Sequence, residues 1–186
     1  QGEATGLADI ERSVPMRTDT IFRIASMSKA PVSVAAMILI EEGKLSLETP
    51  VSRFFPSFKK TTVALRPPAG ALPDSPVTIV PAKREINVRD LLTHTSGYSY
   101  DLFNKDVGRY MEQMQLPSIT TCRYGSLSAP LVFDPGERWE YGIGIDWAGK
   151  TVEAISGKKL GEYLQENVFA PLGMTSTAFK ITPDMR

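Results

Sequence analysis

Ser26 and Lys29, three positions apart in the stretch FRIASMSKAPVSVAAMILIEEGKLSL, are the side chains of this sequence whose types and spacing best suit chemistry. If the backbone between them is helical, positions i and i+3 share a face and the hydroxyl meets the amine. A nucleophilic serine needs a neighbour to take its proton. Burial of the turn would lower the lysine pKa and leave the amine able to do so. The competing reading is that Ser26 only caps the helix that follows. His94 is the single histidine, which excludes a multi-histidine zinc site and weakens a Ser-His-Asp triad. Its expected role is structural, with the ring hydrogen-bonded to a helix end or a neighbouring loop. Cys122 is the single cysteine, so neither an intrachain disulfide nor a thiolate metal cluster can form, and it reads as a small packed or half-exposed side chain. No metal and no organic cofactor is implied.

Several elements must hold these groups in place. A short extended lead-in over 20–25 precedes a helix starting near Met27, with Pro31 in its first turn, where a missing N–H costs little. Val32, Ala35, Ala36, Leu39 and Ile40 recur at three and four, and Gly43 is placed to end the helix. Residues 1–9 read as the end of a strand and 10–20 as a polar turn region. Residues 45–58 read as a strapped loop anchored by Leu47, Val51, Phe54, Phe55 and Phe58. The flanks 61–65 and 77–80 of the proline-rich excursion PPAGALPDSP are expected to pair as a hairpin. Asn87 caps a helix with Asp90 in its first turn, which Thr93 to Gly97 close. Further helices are expected over 107–114, from Ile143 or Ile145 to Ile155, and over 160–168. The Pro135–Gly136 turn is expected to send Trp139 and Tyr141 into the body.

Composition sets the outer limits. With 186 residues and 42% hydrophobic content, one compact domain with a real core is within reach. Twenty-one basic and 21 acidic residues balance formally to zero, which supports neither a nucleic-acid nor a membrane-surface role. The apolar run over 30–40 is too short to span a bilayer. No secretory leader is visible, which leans towards the cytoplasm. A chain opening at Gln1 nevertheless leaves localisation unread, because its natural start can lie elsewhere.

Four ordered blocks carry a resemblance. Ser26-Met27-Ser28-Lys29, then Asp90 through Gly97 (DLLTHTSG), then Pro135-Gly136 with Trp139 and Tyr141, then Pro171 through Thr177 (PLGMTST) stand in the order and approximate spacing of the serine β-lactamase-like superfamily. Within it the chain resembles the class C-related, family VIII carboxylesterases and the fungal acyltransferases of secondary metabolism. The resemblance implies an α+β fold, an α/β sandwich plus a helical domain, of the β-lactamase/transpeptidase type. This chain would supply an N-terminal, mostly helical portion without the C-terminal sheet strands. Residues 1–25 would edge the α/β subdomain, 26–179 would hold the nucleophile helix and helical subdomain, and 180–186 would begin the connection to the rest of the sheet.

The resemblance also assigns roles. It makes Ser26 the acylated nucleophile, Lys29 its activating partner, and Tyr141 the general base and proton shuttle. It implies a carboxylesterase or acyltransferase acting on a small-molecule ester or acyl donor. A β-lactamase, a D-aminopeptidase or a non-catalytic binding relative are the alternatives. The usual Tyr-x-Asn motif reads Tyr141-Gly142-Ile143 here, and isoleucine cannot offer an amide hydrogen bond, which favours esters over lactams. Asp90, His94, Gly97, Asp146 and Gly173 are expected to be structural, Asp146 as a helix-start residue. Physically, a phenol and an amine held together in a partly buried site yield a base in either proton distribution. The backbone N–H of Ser26 would supply one oxyanion donor. The second, with the family's third motif, lies outside this sequence, in a second chain or segment that completes the sheet.

Overall fold

The computed structural model describes residues 2–65, 68, 70, 72, 75–181 and 183–185. Pro67 and Pro73 of the proline-rich excursion lie outside the described residues, as do Gln1, Thr182 and Arg186.

Helices organise the fold. α1 (Lys29–Glu41) packs along α4 (Gly144–Ser156), and α5 (Leu160–Leu164) closes against both before running into a π-turn, Gln165–Phe169. The three-and-four spacing of α1 delivers the face it promised, with Val32, Ala35, Ala36 and Leu39 buried against Ile145, Val152, Leu164 and Phe169. Full burial of a Val, Leu, Ile or Phe side chain contributes about 1.5–3 kcal/mol, and of an alanine methyl less. Gly149 lets α4 approach α5, since a Cβ there would stand 2.9 Å from Leu160 Cδ2. The α-helix starts two residues later than Met27, because residues Ala25–Ser28 wind more tightly as a 3-10 turn.

A second core gathers Val51, Phe58, Ile86, Leu91, Leu131, Ile143 and Trp147. The Trp147 ring meets Phe55 and Phe58 edge-on at 5.2 and 4.8 Å. α2 (Val88–Leu92) begins with a full capping box, Asn87 Oδ1 accepting from Asp90 N–H at 2.9 Å and Asp90 Oδ2 from Asn87 N–H at 3.0 Å. α3 (Lys105–Gln113) is capped by Asn104.

The strands among the described residues form two antiparallel ribbons, with isolated bridges joining Pro50 to Asn87 and Val63 to Leu131. β1 (Leu7–Asp9) pairs with β2 (Val14–Pro15), so the turn region read at 10–20 contains a returning strand, fixed by Met16 N–H on the Gly6 carbonyl at 2.9 Å. The second ribbon is the expected hairpin, β3 (Thr62–Leu65) with β4 (Thr78–Pro81), Thr62 opposite Pro81 and Leu65 opposite Thr78.

Candidate active site

Ser26 stands in the tight turn that feeds α1. Ala25 immediately before it is held at φ +43°, a left-handed conformation that costs a non-glycine residue about 1–3 kcal/mol and so implies surroundings that enforce it. The first hydrogen bond of the turn runs from Met27 N–H to the Ile24 carbonyl (3.0 Å), which places the Ser26 N–H ahead of the turn's own ladder. The capping reading finds no support, since neither the turn nor α1 has a side-chain cap bond. Ser26 Oγ instead accepts from Lys29 Nζ at 3.4 Å, one turn on.

The burial expected for this turn is not found: Ser26 is exposed and Lys29 half-buried. The lysine pKa is corrected with it. Partial burial pulls Lys29 down, but hydrogen bonds to the phenols of Tyr100 and Tyr141 outweigh it and hold the amine above its ordinary value. The nitrogen lies 4.8 Å from the Tyr141 ring centre and 5.5 Å from that of Tyr100. Tyr141 moves the other way. The Ser26 hydroxyl first, then the hydrogen bond and charge of Lys29, lower it below the usual phenol range against the opposing effect of burial. The surroundings thus favour a lysine ammonium beside a tyrosine phenolate over the reverse distribution.

Tyr141 is positioned by a docked corner. Gly136 N–H bonds the Thr95 carbonyl (2.8 Å) and Glu140 N–H the His94 carbonyl (2.9 Å). Gly97 takes φ +92°, and a Cβ there would overlap the Phe133 carbonyl oxygen. Gly142 abuts the Tyr98–Ser99 backbone so closely that any side chain would collide with it. Beneath the corner, Asp90 accepts two bonds from Arg84 at 2.7 and 2.8 Å, a bidentate pair that anchors the start of α2.

His94 does not make the hydrogen bond expected of it. Its Nδ1 is buried without a partner, and the ring packs 4.8 Å from that of Tyr141. Burial and then the charge of Lys29 lower its pKa, which favours the neutral ring. Trp139 is 63% exposed rather than turned into the body, and it stacks across Tyr141 at 6.4 Å. Cys122 is exposed, at φ +54°, and contributes to the lining of the cleft. Asp146 lies in the first turn of α4, as expected, and also lines the cleft, where the walls raise its carboxyl above the usual range against the charge of Lys29. Ile143 is 2% exposed and belongs to the second core. Gly173 occupies a left-handed turn (φ +66°) and does not line the cleft.

Ser26, Lys29 and Tyr141 open onto a cleft of about 820 Å³ whose apolar wall includes Leu102, Phe103, Ile119, Leu127, Leu160 and Phe179. Among the described residues no cluster of three or more His, Cys, Asp or Glu is placed to hold a metal ion, and no helix is long and apolar enough to cross a membrane. Sequence reasoning missed Tyr100. Tyr98 and Ser99 are buried and Tyr100 faces the cleft, an order that neither a strand nor a helix period produces, so no local pattern marked it.

The profile of the Beta-lactamase family matches residues 2–186. Monacolin J acid methylbutanoyltransferase of Aspergillus terreus is 38% identical over 175 residues, covering 92% of this chain and 41% of that protein. Esterase EstB of Burkholderia gladioli is 34% identical over 184 residues, covering 95% and 43%. The structure superposes on unliganded Simvastatin Synthase (LovD) from Aspergillus terreus with a TM-score of 0.82 at 36% identity, over 97% of this chain and 46% of that one. The chain spans less than half the length of these relatives. With its β-lactamase/transpeptidase-like fold and a profile match along nearly its whole length, this chain belongs to the Beta-lactamase family.

Proposed function

We propose that this chain carries the nucleophile and proton-transfer groups of a serine acyl-transfer enzyme acting on carboxylic esters. The observation that carries the reading is the convergence of Ser26 Oγ and the Tyr141 ring on Lys29 Nζ, at the edge of an apolar cleft. The Tyr141 phenolate takes the Ser26 proton while Oγ attacks the ester carbonyl. The Lys29 ammonium offsets the charge on that side of the site throughout. The tetrahedral oxyanion is received by the Ser26 N–H and by a second donor outside this chain. Its collapse breaks the bond to the alkoxide, which recovers the proton from Tyr141. Water or an acceptor alcohol then repeats the sequence on the acyl-enzyme. The two relatives named as a methylbutanoyltransferase and an esterase support this class of reaction.

Ester chemistry is favoured over lactam opening because Ile143 is packed in the core and presents no amide to the cleft. In this reading a second chain or a further segment completes the sheet. The test is a comparison of a short-chain p-nitrophenyl ester with a chromogenic cephalosporin, at equal loading of the complete natural protein. Faster ester turnover is expected, and faster lactam turnover would overturn the assignment. No turnover of either, with no adduct from a fluorophosphonate, would leave a binding relative of the fold.

A further inference from the structure

Lys29 carries a three-donor ammonium on a flexible four-carbon stem, and its aim decides whether the amine faces Ser26. Ser26 Oγ and Tyr141 account for two of its polar neighbours. Among the described residues no carboxylate stands within ion-pair distance of it. Tyr100 fills the remaining side: its ring centre is 5.5 Å from Nζ and 5.5 Å from the Tyr141 ring. That proximity lets the Tyr100 hydroxyl favour the charged form of Lys29. Burial keeps it above the usual phenol range, so it remains a neutral phenol while Tyr141 is the one drawn towards ionisation.

The two tyrosines sit on different segments, yet one carboxylate ties the segments together. Glu140, the neighbour of Tyr141, accepts from Ser99 Oγ at 2.9 Å and from Asn104 Nδ2 at 3.2 Å. Ser99 adjoins Tyr100. Asn104 caps α3, and its own N–H bonds the Tyr100 carbonyl at 2.9 Å. The Tyr100 loop is thereby fixed at both of its ends to the residue beside Tyr141.

We propose that Tyr100 is a positioning residue for the acyl-transfer reaction, holding the Lys29 ammonium towards Ser26 through its hydroxyl, and that Glu140 sets the spacing of the two tyrosines by clamping their segments. The inference rests on the acyl-transfer reading above. Its test is the rate of Ser26 acylation by a p-nitrophenyl ester as a function of pH, read after rapid pH jumps in the complete natural protein. Tyr100→Phe keeps the ring and its packing. It is expected to lower kcat by roughly tenfold to a hundredfold with little change in KM. It is also expected to move the alkaline limb to lower pH, because Lys29 loses a partner that favours its charged form. Glu140→Ala should show the same direction more weakly, and Glu140→Gln, which keeps the acceptor oxygen, should restore the rate. A Tyr100→Phe enzyme of wild-type rate and profile, in a wild type acylated on Ser26, would overturn this inference alone. A wild type that is not acylated on Ser26 would overturn the acyl-transfer reading as well.

Discussion

Two walls meet at Lys29, and each brings a tyrosine to the same nitrogen. The Tyr141 wall is stiff. Its backbone is bonded to the His94 and Thr95 carbonyls, its Gly142 is pressed on Tyr98 and Ser99, and its ring packs against those of His94 and Trp139. The Tyr100 wall is a loop between Gly97 and α3, held by side-chain bonds to Glu140. Their electrostatics differ in the same way. Tyr141 is lowered, foremost by the Ser26 hydroxyl, whereas Tyr100 is raised, foremost by burial. Where environments push two like groups apart, their roles separate: the lowered phenol is the one suited to take a proton and the raised one to hold a neighbour.

The largest expected effect fixes the floor beneath this comparison. Ser26→Ala should lower turnover by on the order of 10³-fold or more. Because the side chain is exposed, thermal stability should stay within about 0.5 kcal/mol of wild type. Tyr141→Phe and Lys29→Ala come next, each lowering kcat by on the order of 10²-fold or more. If Tyr141→Phe retained near-full rate while Tyr100→Phe did not, the two walls would exchange roles.

The pH profile sharpens the same contrast. A phenolate is needed at Tyr141, so the rate should fall as pH drops through a pKa below the ordinary phenol value. An ammonium is needed at Lys29, so the rate should fall again as pH rises through a pKa above the ordinary lysine value. Arg84→Met tests the support beneath the stiff wall, since it leaves the Asp90 carboxylate buried without its bidentate partner. A loss of about 2 kcal/mol is expected from denaturant midpoints, below the usual range for buried pairs because Arg84 is partly exposed. The smallest effect belongs to Asp146→Asn. The Asp146 charge raises both Tyr100 and Tyr141, so its removal should move the acid limb of the profile slightly towards lower pH.

Much of this arrangement was legible in the sequence because it depends on local periodicity. The spacing of Ser26 and Lys29, the apolar stripe of α1, the Asn87–Asp90 cap and the Gly43 stop are each read within a few residues. What escaped depends on distant parts of the chain. Ala25 adopts a left-handed backbone that no side-chain preference announces. Tyr100 reaches Lys29 across 71 positions, through a corner that Gly97 turns and Glu140 secures. The lysine pKa was read with the wrong sign because sequence reasoning supplied an apolar burial, where the fold supplies two phenols. The ring of His94 likewise found an aromatic neighbour instead of a hydrogen-bond acceptor.

The central claim is that Ser26 becomes acylated with Tyr141 as the base. The most direct measurement is mass spectrometry of the complete natural protein, quenched during turnover of a p-nitrophenyl ester, with peptide mapping of the adduct. The account predicts a mass gain equal to the acyl group on the peptide containing Ser26, absent in Ser26→Ala and slow to form in Tyr141→Phe. Continued ester turnover with no adduct on Ser26, or with the acyl group on another residue, would contradict it.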